Sequence, residues 1–493
     1  MLNCIYAISA GHEKTLEIAE SILKEGGNAF DAAIAAHLAM YLTEPCMASA
    51  GAGGFALCHH VEHGTMMLDF FTQTPLSSRM DFDPDFRSIL VNFGNESEEF
   101  HIGLASMATP GSVDGMFKLY ERFASMPFED IIAPVQDLAR IGLAINKFQS
   151  IDIGLLEDVF ASDPSVNDIF FNSGQILREG DHFILPHFSD FLDLLRYEGR
   201  DGFYLDYPAR QIEKVCKENG GFLSRKDFES YTSRWVKVLE IPFKGVNVIL
   251  PNLPCVGGLT MALLLKTYQE KGEDWLRAIY DFKACNYNFT QLAQAFSHAF
   301  PGQLKPTDSD SNFNRGTSHF NIMDKYGNAI ALTCTLGEGS GYFIPGTDMQ
   351  MNNMLGEAFL VPQGFHKWTP DTRLNSMMTP TMVKDKNRRL RFICGSGGAG
   401  RIPYMISQMI HSSVIRDMKL EDAMMDPRIY LYANAVQYET GYKGNIEIGL
   451  AHKEWKDLSL FFGGVHAIKI NEDNSVEAEG DPRRFGAASI GYE

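Results

Sequence analysis

A glycine-rich stretch late in the chain has the spacing of a phosphate-binding turn. Gly395-Ser-Gly397-Gly-Ala-Gly400 matches Gly-x-Gly-x-x-Gly, follows an apolar run and precedes a predicted helix. Such a turn binds a dinucleotide pyrophosphate, or its backbone N–H groups stabilise an oxyanion. The residues after Gly400 show no succession of βαβ units long enough for a dinucleotide-binding domain. A tight strand-to-helix turn is therefore favoured over a nucleotide site, and the oxyanion interpretation stays open.

A second group of residues has the chemistry of metal ligands. Cys58-His59-His60-x-x-His63 combines a thiol with imidazoles, which are the usual ligands of zinc. In a strand, however, His59 and His63 would share one face while His60 points to the other, and Gly64 places them at a hairpin tip. We therefore interpret them as exposed turn histidines and predict no metal site.

Thr317 occupies an unusual position for a hydroxyl group. It follows a glycine directly after the polar, proline-bearing region 301–315, and it is the first residue of a predicted strand. Taken alone, this position is typical of a β-branched residue that simply begins a strand. The sequence contains neither a Gly-x-Ser-x-Gly elbow nor a P-loop motif, so α/β serine hydrolases and P-loop enzymes are not supported.

The elements that must position these residues are both helical and extended. Apolar residues at helical spacing predict helices, and short apolar or alternating runs predict strands. The predicted helices cover 16–23, 28–42 and 403–415, with further helices dominating 111–219. The predicted strands are a short strand at 4–9, hairpins over 55–71 and over 317–324 with 329–335, and a buried strand at 390–394.

The composition is that of a soluble globular protein. With 493 residues, 45% hydrophobic and 21% charged, we expect two domains or one large layered unit. A formal charge of −19 disfavours nucleic acid and anionic lipid as partners. Eight cysteines without a Cys-x-x-Cys pair predict thiols in a reducing compartment. Because the N-terminus lacks the pattern of a signal peptide or membrane span, we expect a cytoplasmic protein.

Eight motifs occur in the order found in one known family. They are Glu25-Gly-Gly-Asn-Ala-Phe-Asp-Ala-Ala-Ile-Ala-Ala36, Glu44-Pro45 with Ala50-Gly-Ala-Gly-Gly-Phe55, Arg140-Ile-Gly-Leu-Ala-Ile-Asn146, Gly316-Thr-Ser-His-Phe320, Asp324-Lys-Tyr-Gly-Asn-Ala329, Thr379-Pro-Thr381, Gly395-Ser-Gly-Gly-Ala-Gly-Arg401 and Asp481-Pro-Arg483. In this order they resemble the γ-glutamyltransferase family, N-terminal-nucleophile enzymes that cut themselves into a large and a small subunit. The resemblance covers nearly the whole chain. It implies an α+β fold, a four-layer αββα sandwich of the N-terminal nucleophile hydrolase type.

The resemblance also implies the catalytic residues. The family's nucleophile falls on Thr317, at a self-cleaved Gly316-Thr317 bond, and the threonine that hydrogen-bonds it falls on Thr335. The oxyanion-hole pair falls on Gly398 and Ala399, where the family typically has two glycines. Backbone N–H donors tolerate the alanine if its φ stays negative. Cleavage would free an α-amino group with a pKa of about 8, which is suited to accept a proton near neutrality.

Several of the family's substrate-binding residues are replaced. Phe71 in Leu68-Asp-Phe-Phe71 stands where the family has an arginine that clamps the glutamyl α-carboxylate. Gly337 replaces a substrate-contacting asparagine, and its neighbour Glu338 is assigned to the substrate site. Asn375 and Ser376 take the place of the family's paired serines, with one extra residue. Arg401, and Arg373 upstream of Asn375, are the nearest basic residues in motif context that could meet a carboxylate.

The sequence therefore predicts a γ-glutamyltransferase-like amidohydrolase or transpeptidase made as a precursor. It would be processed into residues 1–316 and 317–493, which stay together as a heterodimer. It would transfer a γ-glutamyl or related acyl group from a small-molecule amide to water or an amine without cofactor or metal. The alternatives are a Thr317 acylase for a non-glutamyl amide, an inactive unprocessed homologue and, least favoured, a nucleotide-binding oxidoreductase.

Overall fold

The computed structural model describes residues 3–78, 80–92, 97–304, 317–358, 360–361 and 363–492. The helices are α1 Glu13–Lys24, α2 Ala29–Thr43, α3 Ser112–Phe123, α4 Phe128–Ile141, α5 Lys147–Leu155, α6 Glu157–Phe160, α7 Asn167–Phe170, α8 Phe188–Tyr204, α9 Tyr207–Asn219, α10 Arg225–Ser230, α11 Val256–Glu270, α12 Trp275–Ala284, α13 Phe289–Ala299, α14 Ile402–Ile410 and α15 Leu420–Met425.

The strands form two large sheets and several small ones. They are β1 Tyr6–Ala10, β2 Gly53–His60, β3 Gly64–Phe70, β4 Arg87–Asn92, β5 Ser97–Ile102, β6 Leu143–Ala144, β7 Phe171–Asn172, β8 Gln175–Ile176, β9 His182–Phe183, β10 Arg234–Val236, β11 Leu239–Phe243, β12 Val246–Leu250, β13 Thr317–Asp324, β14 Ala329–Thr335, β15 Phe343–Ile344, β16 Met349–Gln350, β17 Thr381–Lys384, β18 Leu390–Gly397, β19 Ile429–Tyr432, β20 Ala435–Glu439, β21 Ala451–Trp455, β22 Gly464–Ile470, β23 Val476–Glu479 and β24 Ala487–Gly491.

The two N-terminal helices form where the spacing of apolar residues predicts them. In α1, Leu16, Ala19, Ile22 and Leu23 are buried on one side. Every residue of α2 is buried, as its alanine-rich sequence indicates. Asn28 caps α2 by accepting hydrogen bonds from the first turn, and the Asp31 side chain accepts in return from the Asn28 backbone N–H. The helix therefore begins one residue after the predicted start.

The larger sheet is built around the hairpin that begins at Thr317. Its seven strands run in the order β10-β3-β2-β14-β13-β1-β24. Both predicted hairpins are confirmed: β13 pairs antiparallel with β14, and β2 pairs antiparallel with β3. The hairpin β13-β14 lies between β2 and β1, so strands from both halves of the sequence alternate in this sheet.

The smaller of the two large sheets contains the glycine-rich motif. Its six strands run in the order β11-β12-β17-β18-β22-β23. The strand β18 is longer than predicted and continues through Gly397, so Gly395-Ser-Gly397 is strand rather than turn. Because β18 pairs antiparallel with both β17 and β22, it is not part of the parallel βαβ unit of a dinucleotide-binding domain.

The core lies between and around these sheets. Strands β13 and β14 pack against β18 across the two sheets, α2 contacts β13 and β14, and α14 contacts β18. Two large clusters of buried apolar side chains fill the interior. The fold is thus a mixture of helix and sheet. In the described part of the chain, no helix combines the length and the apolar character needed to cross a membrane.

Candidate active site

Thr317 and Thr335 lie opposite each other at one end of the larger sheet. They are register partners in the β13-β14 pair, and Thr335 is also the partner of Gly53 on β2. Both threonines are almost completely buried. The Thr335 hydroxyl accepts a hydrogen bond of 3.0 Å from the backbone N–H of Gly337. The structure therefore brings the predicted nucleophile and its predicted neighbour together.

The glycine-rich motif approaches Thr317 from the other sheet. A Cβ built on Gly397 would lie 2.4 Å from the Thr317 carbonyl oxygen, so only glycine fits at this crossing. The next residue, Gly398, has a φ of +115° and turns the chain into a short 3₁₀ helix, Ala399–Arg401. This places the turn containing Gly398 and Ala399 directly beside the predicted nucleophile.

Ala399 does not meet the condition of a negative φ under which alanine is tolerated at this turn. Its φ is +57°, in the left-handed region that L residues other than asparagine and aspartate rarely adopt. The reason is the sharp reversal between β18 and α14, which needs two successive residues with positive φ. A strained backbone of this kind concentrates at functional sites, where neighbouring structure holds it in place.

Two charged side chains hold the backbone around Thr317. Arg484 donates a hydrogen bond of 3.1 Å from Nη1 to the Thr317 carbonyl oxygen. The hydroxyl of the next residue, Ser318, donates to Oε2 of Glu44. Both Arg484 and Glu44 are buried, and the other oxygen of Glu44 has no hydrogen-bond partner among the described residues. Together they fix the first two residues of β13.

Glu44, Asp152 and Arg484 form an electrostatic cluster of two carboxyl groups and one guanidinium group. Burial raises the pKa of Glu44 to about 7, while the hydrogen bond from Ser318 opposes the shift. Burial also raises the pKa of Asp152 to about 6, against the attraction of Arg484. Because one cation faces two acids, at least part of the cluster is protonated near neutral pH.

A cavity of about 170 Å³ adjoins this cluster and the turn after β18. Three predicted site residues, Gly398, Glu338 and Arg401, lie on its wall together with Arg484 and Asp152. Arg401 stacks on an aromatic ring, with its guanidinium carbon 4.9 Å from the ring centre of Phe461. Thr317 is not on this wall, but Arg484, which bonds the Thr317 carbonyl oxygen, is, so a small molecule in the cavity would lie close to Thr317.

Phe71, at the position of the family's arginine, points into the core. Its ring is fully buried and lies 5.3 Å from that of Phe55. The nearby Arg373 is also buried and is held by the scaffold: it donates to the carbonyl oxygens of Phe71 and Thr232, and its Nε lies 3.3 Å from Asp69 Oδ2. Arg373 therefore stabilises the chain after β3, and it does not line the cavity.

Asn375 and Ser376 lie outside the cavity wall as well. Both are buried beside the start of α11, where the Ser376 carbonyl oxygen accepts from the backbone N–H of Gly257 and its hydroxyl accepts from that of Met378. The segment also follows Arg373 and Leu374, which run alongside the chain after β3. The structure thus brings these two predicted residues near Phe71 rather than to Arg401.

The histidines at the first hairpin are arranged differently from the prediction. Because β2 ends at His60, alternation stops there, and the rings of His60 and His63 stack at 4.6 Å instead of facing apart. With Glu62 they form a largely exposed group whose ligand atoms all lie within 4.8 Å of one another. Cys58 is buried, and His59 instead bonds Thr65 through Nδ1 at 2.8 Å.

The sequence-based prediction assigns no function to the three residues of the charged cluster near Thr317. Glu44 is part of the Glu44-Pro45 motif, and Arg484 directly follows the Asp481-Pro-Arg483 motif. The family pattern therefore marks their positions without giving their contacts. Asp152 lies on α5 between apolar residues, and only this helical spacing signals that it faces inward.

Comparisons with known proteins give a family match and several relatives. The sequence matches the model of the Gamma-glutamyltranspeptidase family over residues 15–301 and 283–491. A glutathione hydrolase proenzyme of Escherichia coli (strain K12) is 25% identical over 533 residues, covering 97% of this chain and 90% of that protein. An Acylase ACY 1 proenzyme of Pseudomonas sp. (strain V22) is 23% identical over 504 residues, covering 92% and 88%.

Among solved structures, a cephalosporin acylase from Bacillus halodurans has the same fold. Its TM-score is 0.81 at 19% sequence identity, and the match covers 99% of this chain and 96% of the other. At this identity the likeness concerns the fold alone.

Proposed function

Because this chain belongs to the γ-glutamyltranspeptidase family, we propose that it is a precursor of an N-terminal threonine amidohydrolase. The observation that carries this proposal is the position of Thr317. It begins a central strand, faces Thr335 across the hairpin, and lies against the turn containing Gly398 and Ala399. An enzyme of this family acts on γ-glutamyl or related acyl amides.

Maturation uses the hydroxyl that later acts on the substrate. The Thr317 oxygen attacks the carbonyl carbon of Gly316, the C–N bond breaks, and an ester forms with a free Thr317 amino group. Water then opens the ester, leaving a carboxylate on Gly316. Gly316 and the preceding residues from 305 lie outside the described part of the chain. The products are residues 1–316 and 317–493, held together as a heterodimer.

In the mature enzyme, the new α-amino group accepts the hydroxyl proton while Thr317 attacks the donor amide. The backbone N–H groups of Gly398 and Ala399 stabilise the oxyanion, and Thr335 positions the nucleophile. The amine leaves with a proton, and water or a second amine takes the acyl group from the Thr317 ester. Glu338 and Arg401 line the substrate cavity, which supports their assignment; Asn375 and Ser376 lie outside it, so the cavity does not support theirs.

We also propose the layer order α-β-β-α for the fold. It is supported by the packing of α2 on one sheet, of α14 on the other, and of β13 and β14 against β18 between them. A reducing compartment such as the cytoplasm is our proposed location. Within the described residues all eight cysteines are free thiols, and seven of them are buried.

Mass spectrometry of the purified protein tests the proposed maturation. We expect two fragments, one ending at Gly316 and one beginning with Thr317. Thr317→Ala should give one uncut chain because the attacking oxygen is lost, and Thr317→Ser should still be cut because it is retained. A new N-terminus at any other residue, or cleavage of Thr317→Ala, would contradict the proposal.

A further inference from the structure

The cavity beside Thr317 has one apolar wall. Three residues of α5, Phe148, Ile151 and Leu155, line it at intervals of three and four residues, which places them on one face of the helix. Leu460 and Phe461 line it from a 3₁₀ turn, Leu460–Phe462. Two elements far apart in sequence therefore present aliphatic and aromatic side chains to the same space.

This wall is incompletely covered by the protein. Ile151 remains 42% exposed even though it faces the cavity and its neighbours Phe148 and Phe461 are buried. An aliphatic side chain left accessible inside a concave site gains stability when an apolar group covers it. The wall is thus suited to the apolar part of a ligand.

Both arginines that line the cavity contact other groups of the chain. Arg484 bonds the Thr317 carbonyl oxygen and is attracted to both Asp152 and Glu44. Arg401 lies over the ring of Phe461. Phe71 and Arg373 are buried elsewhere, Arg373 against Asp69. In the described part of the chain, neither arginine of the cavity wall stands in the place of the family's clamp, because Arg484 bonds the Thr317 carbonyl oxygen and Arg401 lies against an aromatic ring.

Resting on the proposed function, we infer that this cavity holds the acyl part of the donor, and that this part is an aliphatic or aromatic group without a free α-carboxylate. The acyl group stays bonded to Thr317 after the amine has left. It therefore occupies the space next to both the nucleophile and the Gly398 turn. The donor R–CO–NH–R′ gives the Thr317 ester and R′–NH₂, and water then gives R–COOH and free Thr317.

Steady-state kinetics with three p-nitroanilides test this inference: hexanoyl, phenylacetyl and γ-glutamyl. All three release the same amine, so they differ only in the acyl group. We expect kcat/KM to be at least about 10-fold higher for the hexanoyl or phenylacetyl donor than for the γ-glutamyl donor, because only the apolar groups cover the α5 wall.

Ile151→Asp tests whether α5 forms the wall, and its partial exposure makes the substitution compatible with folding. It should lower kcat/KM for the apolar donors about 10-fold or more, and thereby remove or reverse their preference over the γ-glutamyl donor. Ile141→Asp is the matched control: Ile141 ends α4, is 70% exposed, and does not line the cavity. It should not change the order of the donors.

The outcomes separate this inference from the proposal beneath it. A chain that is cut before Thr317 but prefers the γ-glutamyl donor overturns the inference alone. An apolar preference that survives Ile151→Asp overturns the role of α5. A chain that stays uncut and turns over none of the three donors overturns the proposed function and the inference together.

Discussion

At the scale of single residues, Glu44 shows how the site depends on a buried acid. It accepts a hydrogen bond from Ser318, has Asp152 and Arg484 as charged neighbours, and has a pKa raised to about 7 by burial. An acid with a raised pKa binds more protons in the folded than in the unfolded chain. Its contribution to stability is therefore present at low pH and is lost as the pH rises through the folded pKa.

We predict that Glu44→Gln removes this part of the pH dependence. From about pH 4.5 to pH 7, deprotonation of Glu44 should lower the free energy of unfolding of the protein that retains it by on the order of 3 kcal/mol. The thermal midpoint of the parent protein with Glu44 should therefore fall relative to that of Glu44→Gln across this range. Both proteins would carry Thr317→Ala so that neither is cut.

Differential scanning calorimetry at intervals of half a pH unit measures the effect. Glu17→Gln, on the exposed side of α1, is the control for loss of one carboxylate. A constant difference between the midpoints of Glu44→Gln and its parent over this range would show that Glu44 keeps the same charge in both states.

At the scale of elements, the spacing of the two large sheets explains the glycine motif. The ring of His319 on β13 lies over Gly395 on β18 and bonds Thr333 and Asn321 through its two nitrogens. Burial lowers the pKa of His319 to about 3, so the ring is neutral in this interface. A Cβ on Gly395 would lie 2.2 Å from His319 Cε1. The first glycine of the motif thus permits close packing of the sheets.

We predict that Gly395→Ala lowers stability by about 2 kcal/mol or more, because the ring is held by its hydrogen bonds and cannot move aside. Gly154→Ala is the matched control. It lies within α5, and a Cβ there meets no other atom within 4 Å. It should raise stability by about 0.5–1 kcal/mol, as alanine does within a helix.

Thermal unfolding of the two uncut Thr317→Ala variants compares them directly. Equal midpoints for Gly395→Ala and Gly154→Ala would mean that the sheets can separate to admit a methyl group. Such a result would remove close packing as the reason for glycine at this position.

Much of this element structure is predictable from sequence. The hairpin beginning at Thr317 has the predicted bounds, because alternating apolar residues and a Lys325-Tyr-Gly327-Asn328 turn act locally. Contacts between distant segments are different. The extension of β18 through Gly397 depends on pairing with β22, and the surroundings of Asp152 depend on how α5 lies against the cavity that Arg484 also lines. Helical spacing places Asp152 on the inner side of α5, but no local pattern gives its neighbours or the end of β18.

The substrate site is likewise only partly predictable from the sequence. The family resemblance led to Gly398 and Arg401, which line one cavity, and to Thr317, whose carbonyl oxygen packs against the neighbouring Gly397. It does not reveal that Arg373 is bonded to Asp69 or that Phe71 packs on Phe55, because those partners come from tertiary packing. The positive φ of Ala399 likewise follows from the turn as a whole and not from the residue.

At the scale of the whole molecule, the two proposed fragments are interleaved. In the seven-stranded sheet, β1 lies between β13 and β24, and the hairpin β13-β14 lies between β1 and β2. In the six-stranded sheet, β12 from the first fragment pairs with β17 from the second. Separating residues 1–316 from 317–493 would break the backbone hydrogen bonds of three strand pairs in the seven-stranded sheet. It would also break those of one strand pair in the six-stranded sheet.

We therefore predict that cleavage before Thr317 leaves one particle. The two fragments should elute together on size-exclusion chromatography and appear as separate bands only on a denaturing gel. They should also unfold in a single transition, because neither fragment retains a complete large sheet without the other. Uncut Thr317→Ala should elute at the same volume. Release of either fragment in buffer without denaturant would show that the strands from the two fragments do not hold the sheets together.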